Sequence, residues 1–147
     1  MITLFTIGFT KKSAEIFFNL LRNNKVKYLV DIRISNSSQL AGFAKGSDLA
    51  FFTKEICNIP YEHIVDFAPS KELLDSWHKG DVTWSDYEKH YTAILNERNI
   101  LNKYGIKKFD RACFLCSEDT PENCHRRLLA EYLKKHSTED VKIVHLV

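Results

Sequence analysis

The stretch that most constrains the fold lies in the last third of the chain. There an apolar run, Ala112-Cys113-Phe114-Leu115, passes into a polar segment and then into a second apolar pattern. The polar segment, residues 116–127, holds two cysteines, three acidic residues, one histidine and two arginines. The segment after it, Leu128-Leu129-Ala130-Glu131-Tyr132-Leu133, repeats its apolar residues with the 3.6-residue period of a helix. This order predicts a strand, a loop and an amphipathic helix, which is typical of α/β proteins.

The helix of this unit is predicted to begin inside the polar segment. Thr120 is a suitable N-cap, and Pro121 then takes the first helical position, where a missing N–H costs nothing. On such a helix His125 lies on the buried face, one turn before the leucines, with Cys124 and Arg126 on the two margins of that face. The pattern therefore predicts that His125 points toward the strand ends, flanked by a thiol and a guanidinium.

The first third of the chain shows the same alternation. Residues 4–7 predict a buried strand that ends at Gly8, and Ser13 is a suitable N-cap for a helix that runs to about residue 24. Residues 26–32 predict a second strand, which ends in Asp31-x-Arg33. Two strands joined by one helix form a right-handed unit with parallel strands.

The remaining segments complete a five-stranded pattern. Strands are predicted over residues 61–65, 111–117 and 141–146, and helices over residues 48–57, from Ser70 to Gly80 and from Thr83 to about Tyr104. Residues 35–47 predict a long loop, and two alternatives stay open for it: Phe43 and Lys45 reach over the strand ends, or the segment is only a mobile surface loop. We therefore predict a three-layer α/β fold, Rossmann-like, with a mostly parallel five-stranded sheet and a helical insertion over about residues 69–104.

Length and composition limit the class of protein. The 147 residues predict a single domain, residues 1–147, and 44% hydrophobic with 27% charged residues is ordinary for a soluble globular chain. The formal net charge of +2 does not by itself favour nucleic-acid binding. No apolar run approaches the roughly 20 residues of a membrane span, and the first residues lack the features of a signal peptide. We therefore expect a cytoplasmic protein with reduced cysteines, without membrane contact.

Ligands of parallel sheets bind beyond the carboxyl ends of the strands, so we expect the site there. The predicted substrate-binding residues are Gly8, Asp31, Arg33 and Arg126. The predicted catalytic residues are Cys116, Glu118, Cys124 and His125. Two structural alternatives stay open, namely that Asp31 and Arg33 form only a local ion pair and that Glu118 only caps the helix.

The residue types at this edge favour chemistry on an anion. A helix N-terminus with Arg126 and Arg33 beside it favours a phosphate-bearing, nucleotide or nucleic-acid substrate. The same positive field lowers a thiol pKa, so either cysteine is a candidate nucleophile, with Glu118 or His125 as general acid or base. An enzyme is the first hypothesis, and a non-catalytic module that binds a ligand or nucleic acid is the alternative.

A metal site is the third hypothesis for the same residues. Cys116, Cys124 and His125 are zinc ligand types, with Glu118 as a possible fourth. On a helix, however, two adjacent residues such as Cys124 and His125 point about 100° apart, which disfavours shared coordination. The prediction is therefore that the protein has no metal and no cofactor. Cys113-x-x-Cys116 is not a redox motif, because residues three apart on a strand face opposite sides.

The polar segment also resembles a known family signature. The pattern Cys116-x-Glu118-x-x-Pro121-x-x-Cys124-His125-Arg126 is similar to that of the domain-of-unknown-function 488 family. Further similar stretches are Thr6-Ile7-Gly8, Val30-Asp31-Ile32-Arg33, Tyr61-x-His63-Ile64 and Ile143-Val144-His145-Leu146, so the resemblance covers nearly the whole chain. The family often has histidine after the first glycine, where this chain has Phe9. The resemblance implies a fold and a site but no particular reaction.

Overall fold

The five predicted strands form one sheet in the computed structural model, which describes residues 1–37 and 42–147. The strands are β1 (Ile2–Gly8), β2 (Tyr28–Asp31), β3 (Tyr61–His63), β4 (Ala112–Cys116) and β5 (Val141–Leu146). Their order across the sheet is β3-β2-β4-β1-β5, and every neighbouring pair is parallel. The predicted α/β fold is confirmed, with a sheet that is parallel throughout rather than mostly parallel.

Helices cover both faces of the sheet. They are α1 (Ala14–Asn23), α2 (Gly46–Phe52, continued by a π-helical turn over Thr53–Cys57), α3 (Lys71–His78), α4 (Trp84–Glu97), α5 (Ile100–Lys103) and α6 (His125–Lys135). Helices α1 and α2 pack on one face, and α3 to α6 pack on the other, which confirms the three layers and the helical excursion between β3 and β4. Among the described helices, none has the length and apolarity that a membrane span requires.

Strand β4 is buried along its whole length, and its side chains divide between the two faces of the sheet. Cys113 packs in the layer of α1 and α2, whereas Cys116 packs in the layer of α3 to α6. The two-residue period of a strand requires this division. The prediction that these two cysteines point apart is therefore confirmed.

Three helices begin where the sequence predicts. The hydroxyl oxygens of Ser13, Ser70 and Thr83 each accept a hydrogen bond from the backbone N–H three residues later. The helix predicted to run to Tyr104 is interrupted after Glu97, because Asn99 adopts a left-handed conformation with φ 57°. That conformation breaks the helical hydrogen-bond pattern, so α4 ends at Glu97 and a separate short helix follows.

The start of α6 also differs from the prediction. The helix begins at His125 and not at Pro121, and Thr120 is not its N-cap. Cys124 takes the N-cap position with an extended backbone (φ −135°, ψ 139°), and its N–H donates to the carbonyl of Pro121 in a turn. The segment before α6 is therefore a loop.

This loop, residues 117–124, is held against the segment that follows β1. The backbone N–H and the hydroxyl of Thr10 both donate to the carbonyl of Ser117, at 3.1 and 2.6 Å. The Lys12 ammonium contacts the Asp119 carboxylate at 3.0 Å. These contacts between distant parts of the chain compete with helix formation and explain why the helix begins later than its capping residues predict.

The connections after β2 and β4 diverge at the edge of the sheet where the polar residues lie. These strands are neighbours, but the chain leaves β2 through α2 on one face and leaves β4 through α6 on the other face. The two connections also run in opposite directions across the sheet. Such a point of divergence is where parallel sheets bind ligands.

The loop predicted over residues 35–47 is described only in part, since residues 38–41 lie outside the described residues. Phe43 packs against Phe17 and Phe18, with ring centroids 5.2 and 5.8 Å away, and so belongs to the core layer of α1. The predicted position of Phe43 over the strand ends is therefore wrong. The carbonyl of Ala44 does reach that edge, where it accepts a hydrogen bond from Arg33.

Candidate functional site

A thiol and an imidazole meet at the end of β4. Cys116 is the last residue of β4 and His125 is the first residue of α6, and Cys116 Sγ lies 3.4 Å from His125 Nδ1. His125 Nε2 lies 2.9 Å from the carbonyl oxygen of Ile32, just after β2. Because a carbonyl only accepts, Nε2 carries the hydrogen and donates it. Nδ1 is then the ring nitrogen that can accept a proton, and the sulfur lies 3.4 Å from it and 3.7 Å from Nε2.

Cys124 completes a cluster of three. The sulfurs of Cys116 and Cys124 and a ring nitrogen of His125 all lie within 4.8 Å of one another. The three residues are 6%, 2% and 5% exposed. The geometric objection to their joint use is wrong, because Cys124 has an extended backbone and does not share a helix with His125.

The two thiols of this cluster have opposite pKa shifts. Burial raises the pKa of Cys116, but hydrogen bonding from Cys124 and from the Ser117 backbone, together with the charge of Arg126, brings it below its ordinary value. Burial, followed by the neighbouring Cys116, holds the pKa of Cys124 well above its ordinary value. The hydrogen bond between the two sulfurs therefore favours negative charge on Cys116 over Cys124, with the Cys124 thiol as the donor.

Arg126 is a buried charge without a carboxylate partner. The residue is 0% exposed, and its guanidinium donates to the carbonyls of Glu118 and Asp119, while Nε has no partner among the described residues. Within residues 1–37 and 42–147, no carboxylate oxygen lies within 4.0 Å of its nitrogens. Buried charges require compensation, and the charge of Arg126 is one of the causes that lower the pKa of Cys116.

Gly8 lies under the loop before α6. A Cβ at this position would lie 1.5 Å from the carbonyl oxygen of Glu118 and 2.8 Å from Nη1 of Arg126. The space beside Gly8 is therefore filled by the protein's own backbone, and the substrate-binding role predicted for Gly8 stays a prediction. The side chain of Glu118 is exposed, and its charge opposes the lowering of the Cys116 pKa, so this residue contributes its carbonyl to the site.

Asp31 and Arg33 bind each other. Arg33 Nε and Nη2 donate to the two carboxylate oxygens of Asp31 at 2.9 and 2.7 Å, and the Tyr61 hydroxyl donates to Asp31 at 2.6 Å. Arg33 also donates to the carbonyl of Ala44, which leaves only Nη1 without a partner. The local ion pair forms, and the substrate-binding roles predicted for these two residues stay predictions.

Phe9 occupies the position where the family often has histidine. Its side chain is 1% exposed, and the guanidinium carbon of Arg33 lies 5.2 Å from the centre of its ring. At this distance the ring face attracts the cation. The chain thus has an apolar support for Arg33 where a histidine would offer a ring nitrogen.

Aromatic side chains of α4 line the other side of the histidine. Ring centroids lie 4.8 Å apart between Trp84 and Tyr87, 6.3 Å between Tyr87 and Tyr91, and 5.7 Å between Tyr91 and His125. The Tyr91 hydroxyl donates to the carbonyl of Phe67 at 2.7 Å. Both tyrosines are buried in the core, and the edge contact of Tyr91 with His125 fixes one side of the imidazole.

The structure thus brings together Cys116, Cys124, His125 and Arg126, and it keeps the paired Asp31 and Arg33 on the neighbouring strand end. The sequence does not reveal the roles of the Ile32 carbonyl and the Ser117 N–H. Almost every residue has a backbone carbonyl and an N–H, so no residue type marks the ones that contact the site. Tyr61, which binds Asp31, belongs to one of the stretches that resemble the family.

Comparison with known proteins is consistent with the resemblance of the motifs. The family model described as "Domain of unknown function DUF488" matches residues 13–133. The matched range contains every candidate site residue except Gly8. No curated protein and no solved structure matches the chain.

Proposed function

The chain belongs to the DUF488 family, and on that premise we propose that it is an enzyme in which the Cys116 thiolate attacks an anionic substrate. One observation carries the proposal. Cys116 Sγ lies 3.4 Å from Nδ1 of His125, whose other ring nitrogen donates to a backbone carbonyl. A nucleophile next to a base that a third group orients is the arrangement that covalent catalysis requires.

The roles follow from the hydrogen bonds. His125 Nδ1 takes the thiol proton from Cys116, and the Ile32 carbonyl holds the resulting imidazolium in place through Nε2. The sulfur then forms a bond to the electrophilic atom of the substrate, and the bond from that atom to the leaving group breaks. The leaving group receives the proton from Nδ1, so that proton and charge balance.

The electrostatics of α6 support an anionic substrate. The N-cap Cys124 makes no side-chain capping bond, and the first turn of α6 contains no acidic residue. By contrast, α1, α3 and α4 each have a hydroxyl cap and an acidic residue in the first turn. The α6 N-terminus and the unpaired charge of Arg126 therefore leave a positive field beside Cys116, which favours a negatively charged reactant.

Alkylation of the thiols tests both parts of the proposal. Since only the thiolate reacts, we expect the rate of Cys116 modification by iodoacetamide to rise with pH at a lower pH than for an ordinary thiol. The positive field adds a second expectation. Relative to iodoacetamide, the anionic reagent iodoacetate should react faster with Cys116 than with other thiols of the same chain. Quantitative peptide mapping after timed exposure measures both.

Cys57 is the internal control, because burial raises its pKa. Its modification should begin at higher pH and should not favour the anionic reagent to the same degree. Replacement of Cys116 by serine should remove the low-pH reaction. If Cys116 resists both reagents in the folded protein, or titrates at or above the pH of Cys57, the thiolate mechanism is wrong. A preference for iodoacetate without a lowered inflection would favour a non-catalytic anion-binding module instead.

A metal centre is the second candidate function, and one specific observation favours it. Two sulfurs and one imidazole nitrogen within 4.8 Å form a ligand set that Zn²⁺ accepts. The hydrogen bond from His125 Nε2 to the Ile32 carbonyl is the support that metal-binding histidines use. The exposed Glu118 side chain is not part of this cluster, so the fourth position would be taken by water or substrate.

Metal uptake distinguishes the two candidates. If the centre binds metal, chelator-treated protein should take up one Zn²⁺ per chain, and Co²⁺ should give the near-ultraviolet absorption of sulfur-to-metal charge transfer. Cys124→Ser should lose both signals, while Cys113→Ser should keep them because Cys113 lies on the opposite face of the sheet. Uptake that is equal in the two variants would exclude this centre.

A further inference from the structure

Cys124 takes no part in the bond changes of the proposed mechanism, although its thiol donates toward the Cys116 sulfur and its own sulfur lies beside the nucleophile. We infer that Cys124 is a resolving thiol, which converts an oxidised Cys116 into a Cys116–Cys124 disulfide, and that the site therefore reduces hydroperoxides. The inference rests on the proposed function, because it takes Cys116 as the nucleophile. It adds a second reactant class and a second catalytic residue to that function.

The first support is the position of the two sulfurs. They lie within 4.8 Å of each other in one buried cluster. A disulfide requires about 2.05 Å between sulfurs, so the two atoms need to approach by about 3 Å at most. The thiols of Cys113 and Cys57 both belong to the layer on the opposite face of the sheet, so they cannot replace Cys124.

The second support is the backbone around Cys124. The residue precedes the first turn of α6 and has an extended conformation, and residues 117–123 before it form a loop. Its own N–H donates to the carbonyl of Pro121 in a turn and not to a helical carbonyl. The thiol can therefore approach Cys116 through a change in this turn, without unwinding α6.

The chemistry balances with a hydroperoxide as the oxidant. The Cys116 thiolate attacks the terminal peroxide oxygen, so that an S–O bond forms and the O–O bond breaks. The departing alkoxide or hydroxide takes the proton from His125 Nδ1 and leaves as alcohol or water. Cys116 is now a sulfenic acid, oxidised by two electrons, and the peroxide is reduced by two electrons.

The second step uses Cys124. Its thiol gives its proton to His125 Nδ1, its sulfur attacks the sulfur of Cys116, and the S–S bond forms as the S–O bond breaks. The departing hydroxide takes that proton and leaves as water. An external dithiol then returns both cysteines to the thiol form by exchange. Because Cys124 is adjacent, the sulfenic acid is consumed before further peroxide can oxidise it.

The experiment treats chelator-equilibrated protein with one molar equivalent of hydrogen peroxide. We expect the wild-type chain to lose two thiols, and peptide mapping should show one disulfide between Cys116 and Cys124. Dimedone, which traps sulfenic acids, should label little wild-type protein. In Cys124→Ser the same reagent should label Cys116 at least tenfold more, because the sulfenic acid has no partner. Cys57→Ser and Cys113→Ser should behave as the wild type does.

Two results would overturn the inference. One is equal labelling of Cys116 by dimedone in the wild type and in Cys124→Ser, and the other is a disulfide that includes Cys57 or Cys113. If Cys124→Ser does not fold, the disulfide map of the wild type decides alone. Iodoacetamide alkylation separates this failure from failure of the proposed function. If Cys116 reacts at low pH but no Cys116–Cys124 disulfide forms, only the resolving role of Cys124 is wrong. If neither the low-pH reaction nor the disulfide is observed, the thiolate mechanism is wrong as well.

Discussion

Replacement of Gly8 by alanine is expected to destabilise the protein by about 3 kcal/mol, the upper end of the usual cost of overpacking. The added Cβ would lie 1.5 Å from the carbonyl oxygen of Glu118. That carbonyl belongs to a backbone held by Thr10 and Lys12 and accepts a hydrogen bond from Arg126, so it cannot move without breaking other contacts. Urea unfolding followed by circular dichroism measures the change.

Gly105 offers a matched control for this substitution. A Cβ at Gly105 meets no atom within 4 Å, and its φ of −76° is one that alanine adopts readily. Gly105→Ala should therefore leave stability unchanged or raise it by about 0.4–1 kcal/mol, by restricting the unfolded chain. Equal losses of stability in the two variants would show that the contact between Gly8 and the loop before α6 does not hold the site together.

Local patterns account for most of the fold. The apolar runs, the capping hydroxyls of Ser13, Ser70 and Thr83, and the two-residue period of β4 each determine a local feature, and the structure agrees with them. The carboxyl ends of parallel strands meet at one edge of the sheet, and ligands bind there. Asp31 and the polar segment after β4 both follow such strand ends, so the sequence predicts that they lie near each other. That prediction depends only on where the strands end and does not determine which atoms contact one another.

The predictions fail where distant contacts override local preference. Thr120 and Pro121 have the residue types of a helix start, but the loop that contains them is held to the segment after β1. Helix α6 therefore begins later, at His125. This one shift also reverses the argument against joint use of Cys124 and His125, which assumed that both lie on the helix. The residue at which α6 begins therefore decides whether Cys124 and His125 can act on the same ligand.

The partners of Arg33 and Arg126 also show the difference between local and distant contacts. Both were predicted to bind substrate, but Arg33 is neutralised by Asp31, with which it shares one strand end, while Arg126 has only carbonyl partners. The spacing Asp31-x-Arg33 allows the first pairing to be suggested from the sequence. The absence of a carboxylate around Arg126, within the described part of the chain, depends on the whole tertiary arrangement and becomes visible only in the structure.

Replacement of Arg126 by methionine is expected to lower stability by about 2 kcal/mol and to raise the pKa of Cys116. The stability loss arises because the partly buried carbonyl of Glu118 loses its donor and the carbonyl of Asp119 keeps only Lys12, and an unpaired buried polar group costs about 1–3 kcal/mol. The pKa rises because the charge of Arg126 is one of the causes that lower it. Alkylation of Cys116 by iodoacetamide should therefore begin at higher pH than in the wild type.

Two further variants separate charge from hydrogen bonding at this position. Arg126→Lys keeps the charge but loses the planar fork, so it should lose stability and yet retain the low-pH alkylation of Cys116. Arg127→Met is the control, because Arg127 is partly exposed and pairs with Glu131 and Glu88. Its loss should cost at most about 1 kcal/mol and leave the alkylation profile of Cys116 unchanged. If the lysine and methionine variants of Arg126 shift that profile equally, the charge of Arg126 is not what stabilises the thiolate, and the positive field beside Cys116 must be assigned to the N-terminus of α6 alone.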